Sequence, residues 1–200
     1  MKNWERFVKR TVDVIVSVLG IVACLPIFIL ISMLVKLNSS GPALFVQMRM
    51  GLNGRAFKTY KFRTMLLNAP DIRNADGSAF SSNIDPRVTS VGKWLRKTSL
   101  DELPQFFNVL FGEMSLVGPR PDLVDQIRFY TESEKQRLNV KPGITGLAQI
   151  SGRNSISWES RKQLDIQYVI GQSLTLDAEI LVRTIPYVLC GRDVYVSQTS

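Results

Sequence analysis

One long apolar run near the N-terminus dominates the hydrophobic pattern of the chain. Residues 14–35 carry no charged side chain. At about 1.5 Å per helical residue, a run of this length can cross a hydrocarbon core of roughly 30 Å. It is too long for a secretory signal peptide, and no small-residue cleavage site follows it. We therefore predict a membrane segment in preference to the buried helix of a soluble protein.

Pro26 and the flanking charges predict the path of this segment. A proline near the middle of a helix removes one backbone hydrogen bond and clashes with the preceding turn. Both flanks are basic, so the positive-inside rule places both ends on the cytoplasmic side. A re-entrant helix-break-helix that bends at Pro26 satisfies both flanks, and we prefer it over a kinked single span. The basic flanking residues are Lys2, Arg6, Lys9, Arg10, Lys36, Arg49, Arg55, Lys58, Lys61 and Arg63.

Two alternating segments predict a β-hairpin with one half-buried face. Residues 43–50 alternate between apolar and polar positions, the sequence GLNG supplies a turn, and residues 55–63 alternate again. Lys61 and Arg63 then share a face of the second strand, about 7 Å apart by the strand repeat. Two cations at that spacing can hold one diphosphate, but they can equally be the charges that protect an exposed edge strand.

The remaining pattern predicts mostly helices. A short Phe-rich helix after Pro104 is apolar around most of its circumference and is suited to a core or a membrane surface. We also predict a polar helix over about 124–138, a helix over 157–170 that carries Asp165, and an amphipathic helix over 174–189. The predicted fold class is α+β, mostly helical, with the hairpin and the amphipathic interfacial helices arranged around one active site.

Composition narrows the chemistry. The 200 residues include no histidine, which excludes zinc sites of the histidine type, Ser-His-Asp triads and imidazole bases. A net charge of +8 predicts an anionic partner, either nucleic acid, an anionic membrane surface or a phosphorylated substrate. Nucleic acid is the weakest of these, because the cations are scattered between apolar segments and no recognised binding motif accompanies them.

Residues 100–121 contain the strongest candidate site. Asp101 and Glu102 precede an arginine held between two prolines, Arg120. A carboxylate can be a nucleophile or a Mg2+ ligand toward a phosphoryl group, and a guanidinium can hold phosphate oxygens through two parallel hydrogen bonds. However, Ser99 and Glu102 also match a helix capping box, which explains the acidic pair without catalysis. Such a helix N-terminus would also keep Asp101 ionised.

Several blocks in order carry a resemblance to a known family. They are KRTVDVIVSVLG with CLPI, YKFRTM, LRKTSLDELPQFFNVLFGEMSLVGPRP, KPGITGLAQISGRNSISW and the segment bearing Asp165. Together they resemble the bacterial sugar transferases, in particular the small monotopic phosphoglycosyl transferases that act on polyprenyl phosphate. The resemblance covers nearly the whole chain. One departure is Leu25 before Pro26, where the family often has a serine.

The resemblance implies a ping-pong reaction. An aspartate attacks the β-phosphate of a UDP-sugar, UMP leaves, and polyprenyl (undecaprenyl) phosphate takes the phosphosugar. Asp101 matches the nucleophile and Mg2+ ligand, and Glu102 the second member of the catalytic dyad. Arg120 matches a phosphate-holding arginine, and Lys61, Arg96 and Asp165 fall at positions around the active site. Arg63 joins these candidate substrate-binding residues through its strand position.

The resemblance also implies an organisation. Residues 1–37 would anchor the chain in the lipid bilayer, and residues 38–200 would form a catalytic domain on the cytoplasmic face of the bacterial inner membrane. Later glycosyltransferases of a glycoconjugate pathway are possible partners. The competing interpretation is a basic, membrane-anchored binding module without enzymatic activity.

Overall fold

The structure, a computed structural model, describes residues 1–80, 82, 84–152 and 154–190. These residues are mostly helical with two small sheets, which confirms the predicted class. The helices are α1 (Asn3–Asn38), α2 (Ser90–Thr98), α3 (Gln105–Phe111), α4 (Leu147–Ile150), α5 (Trp158–Gly171) and α6 (Leu174–Cys190). The strands are β1 (Leu44–Met50), β2 (Ala56–Phe62), β3 (Ser115–Val117) and β4 (Gly143–Thr145). The last ten residues of the proposed catalytic unit, 191–200, lie outside the described part.

Helix α1 continues without interruption through Pro26. The bend predicted at this proline therefore does not separate two helices. Among the described residues, α1 is the one helix long and apolar enough to cross a membrane. Most of its large apolar side chains are exposed, including Trp4, Phe7, Val22 and Leu37. An exposed apolar surface of this extent marks an interaction site, and together with the length of the helix it indicates membrane association.

Both ends of α1 nevertheless contact the rest of the chain. Near the N-terminal end, Lys9 Nζ donates to the carboxylate of Asp177 in α6 at 2.6 Å. At the C-terminal end, Asn38 Nδ2 donates to Ser90 Oγ at the start of α2 at 2.9 Å. The helix therefore lies along the folded body and is attached to it at two distant points.

Strands β1 and β2 form the predicted antiparallel hairpin. Their register runs from Leu44 opposite Phe62 to Met50 opposite Ala56. The turn between them includes Gly54 at a φ of +73°, a left-handed conformation that glycine adopts at little cost. The sequence thus placed both strands correctly to within one residue.

The prediction that one face of β1 is buried is wrong for most of the strand. Leu44, Val46 and Met48 share that face and are 42–47% exposed. The sheet has two strands, and α3 packs against β2. As a result β1 is left at the outer edge with most of its apolar side chains uncovered.

The polar α-helix predicted over 124–138 is also wrong. This stretch forms two 3₁₀ segments, Val124–Phe129 and Glu134–Asn139. The carboxylate of Glu134 accepts a hydrogen bond from the backbone N–H of Thr131 at 2.7 Å, which turns the chain between them. The predictions of helices over 157–170 and 174–189 are confirmed by α5 and α6.

Two apolar clusters hold the fold together. The larger joins β2, α3, β3, α5 and α6 through buried residues that include Val109, Val117, Tyr168 and Ile180. The smaller joins the C-terminal half of α1 to β2 and α2, through Ile31, Val35, Phe62 and Leu95. Leu100 and Leu103 pack against this second cluster. It therefore fixes the short turn that carries Asp101 and Glu102.

Candidate active site

Asp101 and Glu102 lie in a single 3₁₀ turn, Leu100–Glu102, between α2 and α3. Ser99 closes α2 in the left-handed conformation, with a φ of +58°. The turn has no side-chain capping hydrogen bond at Ser99, so the predicted capping box does not form. Helix capping therefore does not explain this acidic pair, and the two carboxylates are available for other contacts.

Glu102 is the centre of a three-residue ion cluster. Lys61 Nζ and Arg120 Nη2 each donate to Glu102 Oε1 at 2.7 Å, and Arg120 Nη1 donates to Oε2 at 3.4 Å. Burial alone would raise the pKa of Glu102, but the charges of Arg120 and Lys61 hold it well below its usual range. Glu102 is therefore ionised, with both of its oxygens engaged.

Asp101 has a different environment. Its side chain is nearly buried, with 9% of the residue exposed, and no described residue donates a hydrogen bond to its carboxylate. Burial raises the pKa of Asp101 to about 6, against the opposing charge of Lys61. The expected helix N-terminus would have kept Asp101 ionised, whereas burial gives a carboxylate that titrates just below neutral pH. At pH 7 it is mostly ionised and still has oxygens to offer.

Arg96, on α2, acts on Asp101 through its charge. Its Nε donates to Thr64 Oγ1 at 3.0 Å, and its positive charge lowers the pKa of Asp101 against the larger effect of burial. The hydrogen bond from Arg96 to Thr64 requires α2 to approach the backbone of Thr64 closely. Gly92 permits this, because a Cβ added there would lie 2.0 Å from the Thr64 carbonyl oxygen.

Arg63 is not brought together with Lys61. Strand β2 ends at Phe62, and the Arg63 guanidinium donates to the carbonyls of Ser40 and Ser39 just after α1. Lys61 instead points to Glu102. The two cations therefore serve different partners, and a joint grip on one diphosphate is not preformed.

The loop that carries Arg120 is fixed through its backbone. Four consecutive carbonyls, from residues 119 to 122, each accept a hydrogen bond, and the donors come from three other parts of the chain. Because Pro119 and Pro121 have no N–H to donate, these carbonyls are the main points of attachment. The donors are Gly143 N to Pro119, Arg137 Nη2 to Arg120, Arg49 Nη1 to Pro121 and Met50 N to Asp122, at 2.8–3.1 Å.

Asp165 lies behind this loop. It is 1% exposed, and its carboxylate pairs with Arg137. Arg137 also pairs with Asp122 and donates to the Arg120 carbonyl at 2.8 Å. Burial raises the pKa of Asp165 to about 6, although the charge of Arg137 opposes this. The predicted substrate-binding residue is thus part of a buried support under Arg120.

Comparison with known proteins identifies the family. The model of the family described as bacterial sugar transferase matches residues 4–191. The chain belongs to the bacterial sugar transferase family. Its relatives include the galactosyl transferase CpsE of Streptococcus agalactiae, 44% identical over 92% of this chain and 42% of that protein. The exopolysaccharide production protein ExoY of Sinorhizobium fredii is 42% identical over 94% of this chain and 88% of that protein.

A third relative has the most explicit name. The UDP-glucose:undecaprenyl-phosphate glucose-1-phosphate transferase of Klebsiella pneumoniae is 45% identical over 88% of this chain. The chain spans about two fifths of the length of the CpsE and Klebsiella proteins and most of the length of ExoY.

Sequence reasoning missed three residues that hold this candidate site in place. Arg49 and Arg137 hold the Arg120 loop, and nothing in their local pattern distinguishes them from surface cations. Asn108 is fully buried in α3, where its side chain accepts from Tyr60 N at 3.1 Å and donates to the Lys58 carbonyl at 2.6 Å. The signal that could have identified it is a polar residue inside a Phe-rich helix, because buried polar groups are almost always hydrogen-bonded.

Proposed function

We propose that this sugar transferase moves a phosphosugar from a UDP-sugar to polyprenyl (undecaprenyl) phosphate and releases UMP. The observation that carries the proposal is Asp101, a nearly buried carboxylate with no hydrogen-bond donor among the described residues, directly beside the Glu102–Lys61–Arg120 cluster. The name of the Klebsiella relative, a UDP-glucose:undecaprenyl-phosphate glucose-1-phosphate transferase, supports the donor and acceptor classes.

The reaction has two displacements at one phosphorus atom. In the first, an Asp101 oxygen bonds to the β-phosphorus of the UDP-sugar, and the bond from that phosphorus to the bridging oxygen breaks, so UMP leaves with the electron pair. In the second, a phosphate oxygen of polyprenyl phosphate bonds to the same phosphorus, and Asp101 leaves as a carboxylate. The product is a polyprenyl diphosphosugar.

The neighbouring charges make this attack feasible. A carboxylate and a diphosphate repel each other, so positive charge must neutralise the transferring group. Lys61 and Arg120 supply it, and Glu102 holds both cations in position, since its Oε1 accepts from each of them. A guanidinium at Arg120 also matches the geometry of phosphate oxygens.

Mg2+ is the proposed cofactor. The described residues contain no group of three or more histidine, cysteine or acidic side chains that could enclose a metal. Mg2+ commonly uses one or two carboxylates together with substrate phosphates, and Asp101 fits that arrangement because its oxygens have no other partner among the described residues. Bound there, Mg2+ would neutralise charge on the diphosphate.

Membrane attachment fits the two substrates, one soluble and one lipid-bound. Residues 1–37 would anchor the protein, and residues 38–200 would work on the cytoplasmic face of the bacterial inner membrane. The contacts of Lys9 and Asn38 attach both ends of α1 to one folded body, which favours an anchor whose two ends stay on the cytoplasmic side. Such a site lies at the interface where both substrates can reach it.

The test is UMP release from a panel of UDP-sugars, with polyprenyl phosphate and Mg2+, by the membrane-inserted protein. We expect Asp101→Asn to reduce the rate by about a thousandfold or more, because the amide is not a nucleophile. Asp125→Asn, an exposed carboxylate, is the matched control. UMP release by Asp101→Asn at the parental rate would contradict the mechanism, and no release by the parent would favour a membrane-bound binding module.

A further inference from the structure

Helix α5 presents one continuous stripe of large polar and aromatic side chains. Trp158, Arg161, Asp165 and Tyr168 are spaced three or four residues apart, which places them on one face of the helix. Trp158, Asp165 and Tyr168 are buried, whereas Arg161 is half-buried. Three members of the stripe have clear partners in the structure.

These three side chains contact, directly or through Arg137, the segment 117–122 that contains Arg120. Tyr168 Oη donates to the Val117 carbonyl at 3.1 Å, and Trp158 Nε1 donates to Asp122 Oδ2 at 3.0 Å. Asp165, between them, pairs with Arg137, which holds the Arg120 carbonyl. The stripe thus runs antiparallel to residues 117–122. Arg161, between Asp165 and Trp158, falls opposite the stretch from Arg120 to Asp122.

Arg161 has spare hydrogen-bond donors in this position. Its Nη1 donates to Asn154 Oδ1 at 3.2 Å, whereas its Nε is buried and has no partner among the described residues. No carboxylate of the described residues lies within ion-pair distance of it, unlike Arg87 and Arg137. Asp76 in the neighbouring loop is engaged by Ser78, whose N–H and hydroxyl both donate to it.

This arrangement is costly for the protein without a ligand. Burial lowers the pKa of Arg161, and although the charge of Asp122 opposes this, the nearby charges of Arg120 and Arg137 add to it. A partly desolvated charge without a direct ion-pair partner among the described residues is unfavourable, so an anion at this point would be bound strongly. Arg120 cannot bind such an anion alone, because two of its nitrogens already donate to Glu102.

We infer that Arg161 is a second anion-binding guanidinium, which holds diphosphate oxygens of the donor beside Arg120. The identity of the donor rests on the proposed function, whereas the preference for a diphosphate rests on the two neighbouring guanidiniums. The planar fork of Arg161 can give a diphosphate two hydrogen bonds that a lysine cannot reproduce.

The experiment measures equilibrium binding of inorganic pyrophosphate and of UDP to the full chain. The protein is held in phosphatidylcholine nanodiscs, so that the lipid adds no net charge, and binding is followed by calorimetry. Arg161→Met is expected to weaken both ligands by about ten- to a hundredfold, and Arg161→Lys by a smaller factor. Arg183→Met is the matched control, because Arg183 is an exposed arginine of α6 paired with Glu179.

The outcomes separate this inference from the proposed function. Binding by Arg161→Met within about twofold of the parent, or no binding of either ligand by the parent, overturns the inference. If Arg161→Met does not fold, as judged by circular dichroism, the decision passes to Arg161→Lys, for which unchanged binding overturns it. If the parent binds UDP through Arg161 but releases no UMP from UDP-sugars, the proposed function fails and the inference stands.

Discussion

Asp101 and Glu102 are adjacent in the chain but have opposite electrostatic surroundings. Burial alone would raise the pKa of Glu102, but the charges of Arg120 and Lys61 outweigh this and hold the pKa low. Asp101 is buried without a hydrogen-bond donor among the described residues, and its pKa rises to about 6. Two carboxylates whose pKa values are pushed apart have different roles in many active sites. Here Glu102 suits a fixed counter-ion, and Asp101 suits a nucleophile.

The pKa of Asp101 predicts an acid limb in the rate of UMP release. The reactive carboxylate is present above about pH 6 and is lost as the pH falls through that value, so the rate should fall toward about tenfold per unit below it. Glu102 stays ionised throughout and does not contribute. The measurement is single-turnover UMP release between about pH 4.5 and 8 at fixed Mg2+.

The control for this profile is the folded state of the protein. Because native Asp101 binds its proton more tightly than an unfolded aspartate does, its protonation near pH 5 favours the native state and does not unfold it. Circular dichroism should therefore be unchanged where the rate has fallen. A rate that is constant down to about pH 5 would contradict the assignment of Asp101 as nucleophile.

At the scale of elements, the site depends on how α5 and the 3₁₀ segments support the Arg120 loop. Arg137 comes from the 3₁₀ segment Glu134–Asn139 and Asp165 from α5, and together they stand behind the loop. Arg137 holds the Arg120 carbonyl while the Arg120 side chain faces Glu102. The position of Arg120, the proposed phosphate-holding residue, is therefore set by a buried ion pair behind its loop.

We predict that Arg137→Met lowers both stability and activity. It leaves Asp165 buried without its cation, and breaking one side of a buried ion pair costs about 3–5 kcal/mol. The double variant Arg137→Met with Asp165→Leu should recover part of the stability, since removal of both partners leaves no unpaired charge from this pair. It should not recover activity, because the Arg120 carbonyl still lacks its donor.

Thermal unfolding and UMP release of the parent, the single variant and the double variant test this prediction. The expected pattern is a large drop in the unfolding temperature for the single variant and partial recovery for the double variant. Recovery of the rate together with stability would show that Arg137 has only a structural role. An unchanged unfolding temperature for Arg137→Met would contradict the account of the pair.

Local patterns predicted some elements well and failed where a single side-chain contact or the backbone conformation of one residue ends a helix. The hairpin, α5 and α6 follow from alternation or helical periodicity, which are local signals. The helix over 124–138 was wrong because the contact of Glu134 with Thr131 divides it. The capping box was wrong because Ser99 takes the left-handed conformation that ends α2.

The residues of the candidate site also divide into those that the sequence identified and those whose contacts it could not predict. The dyad and Arg120 stand out because their residue types and motif blocks are distinctive. Lys61 was found with them, but its partner Glu102 lies 41 residues further along the chain, a contact that no local pattern encodes. Asp165 was placed in the substrate site from resemblance, whereas its burial against Arg137 depends on the packing of α5.

At the scale of the whole molecule, the contacts of α1 constrain how the protein meets the membrane. The helix has 36 residues, about 54 Å at the usual rise per residue, which exceeds a hydrocarbon core of roughly 30 Å. Lys9 and Asn38 nevertheless contact the same folded body. A straight crossing would carry one end away from that body, so we expect both ends on the cytoplasmic side.

Cysteine labelling tests this orientation. In a variant with Cys24→Ala and Cys190→Ser, single cysteines replace the exposed residues Asn3 or Lys36, and Glu132→Cys marks the catalytic side. An impermeant thiol reagent should modify all three positions in inside-out vesicles and none of them in intact spheroplasts. Modification of Asn3→Cys and Lys36→Cys from opposite sides would reject the re-entrant arrangement.

The covalent intermediate on Asp101 is the central claim, and intact-protein mass spectrometry tests it most directly. The protein is mixed with UDP-sugar and Mg2+ without polyprenyl phosphate. We predict a burst of about one UMP per chain, a mass gain of one phosphosugar on the peptide that contains Asp101, and loss of that mass when polyprenyl phosphate is added. UMP release that requires the acceptor and leaves no adduct, or an adduct on another residue, would contradict the account.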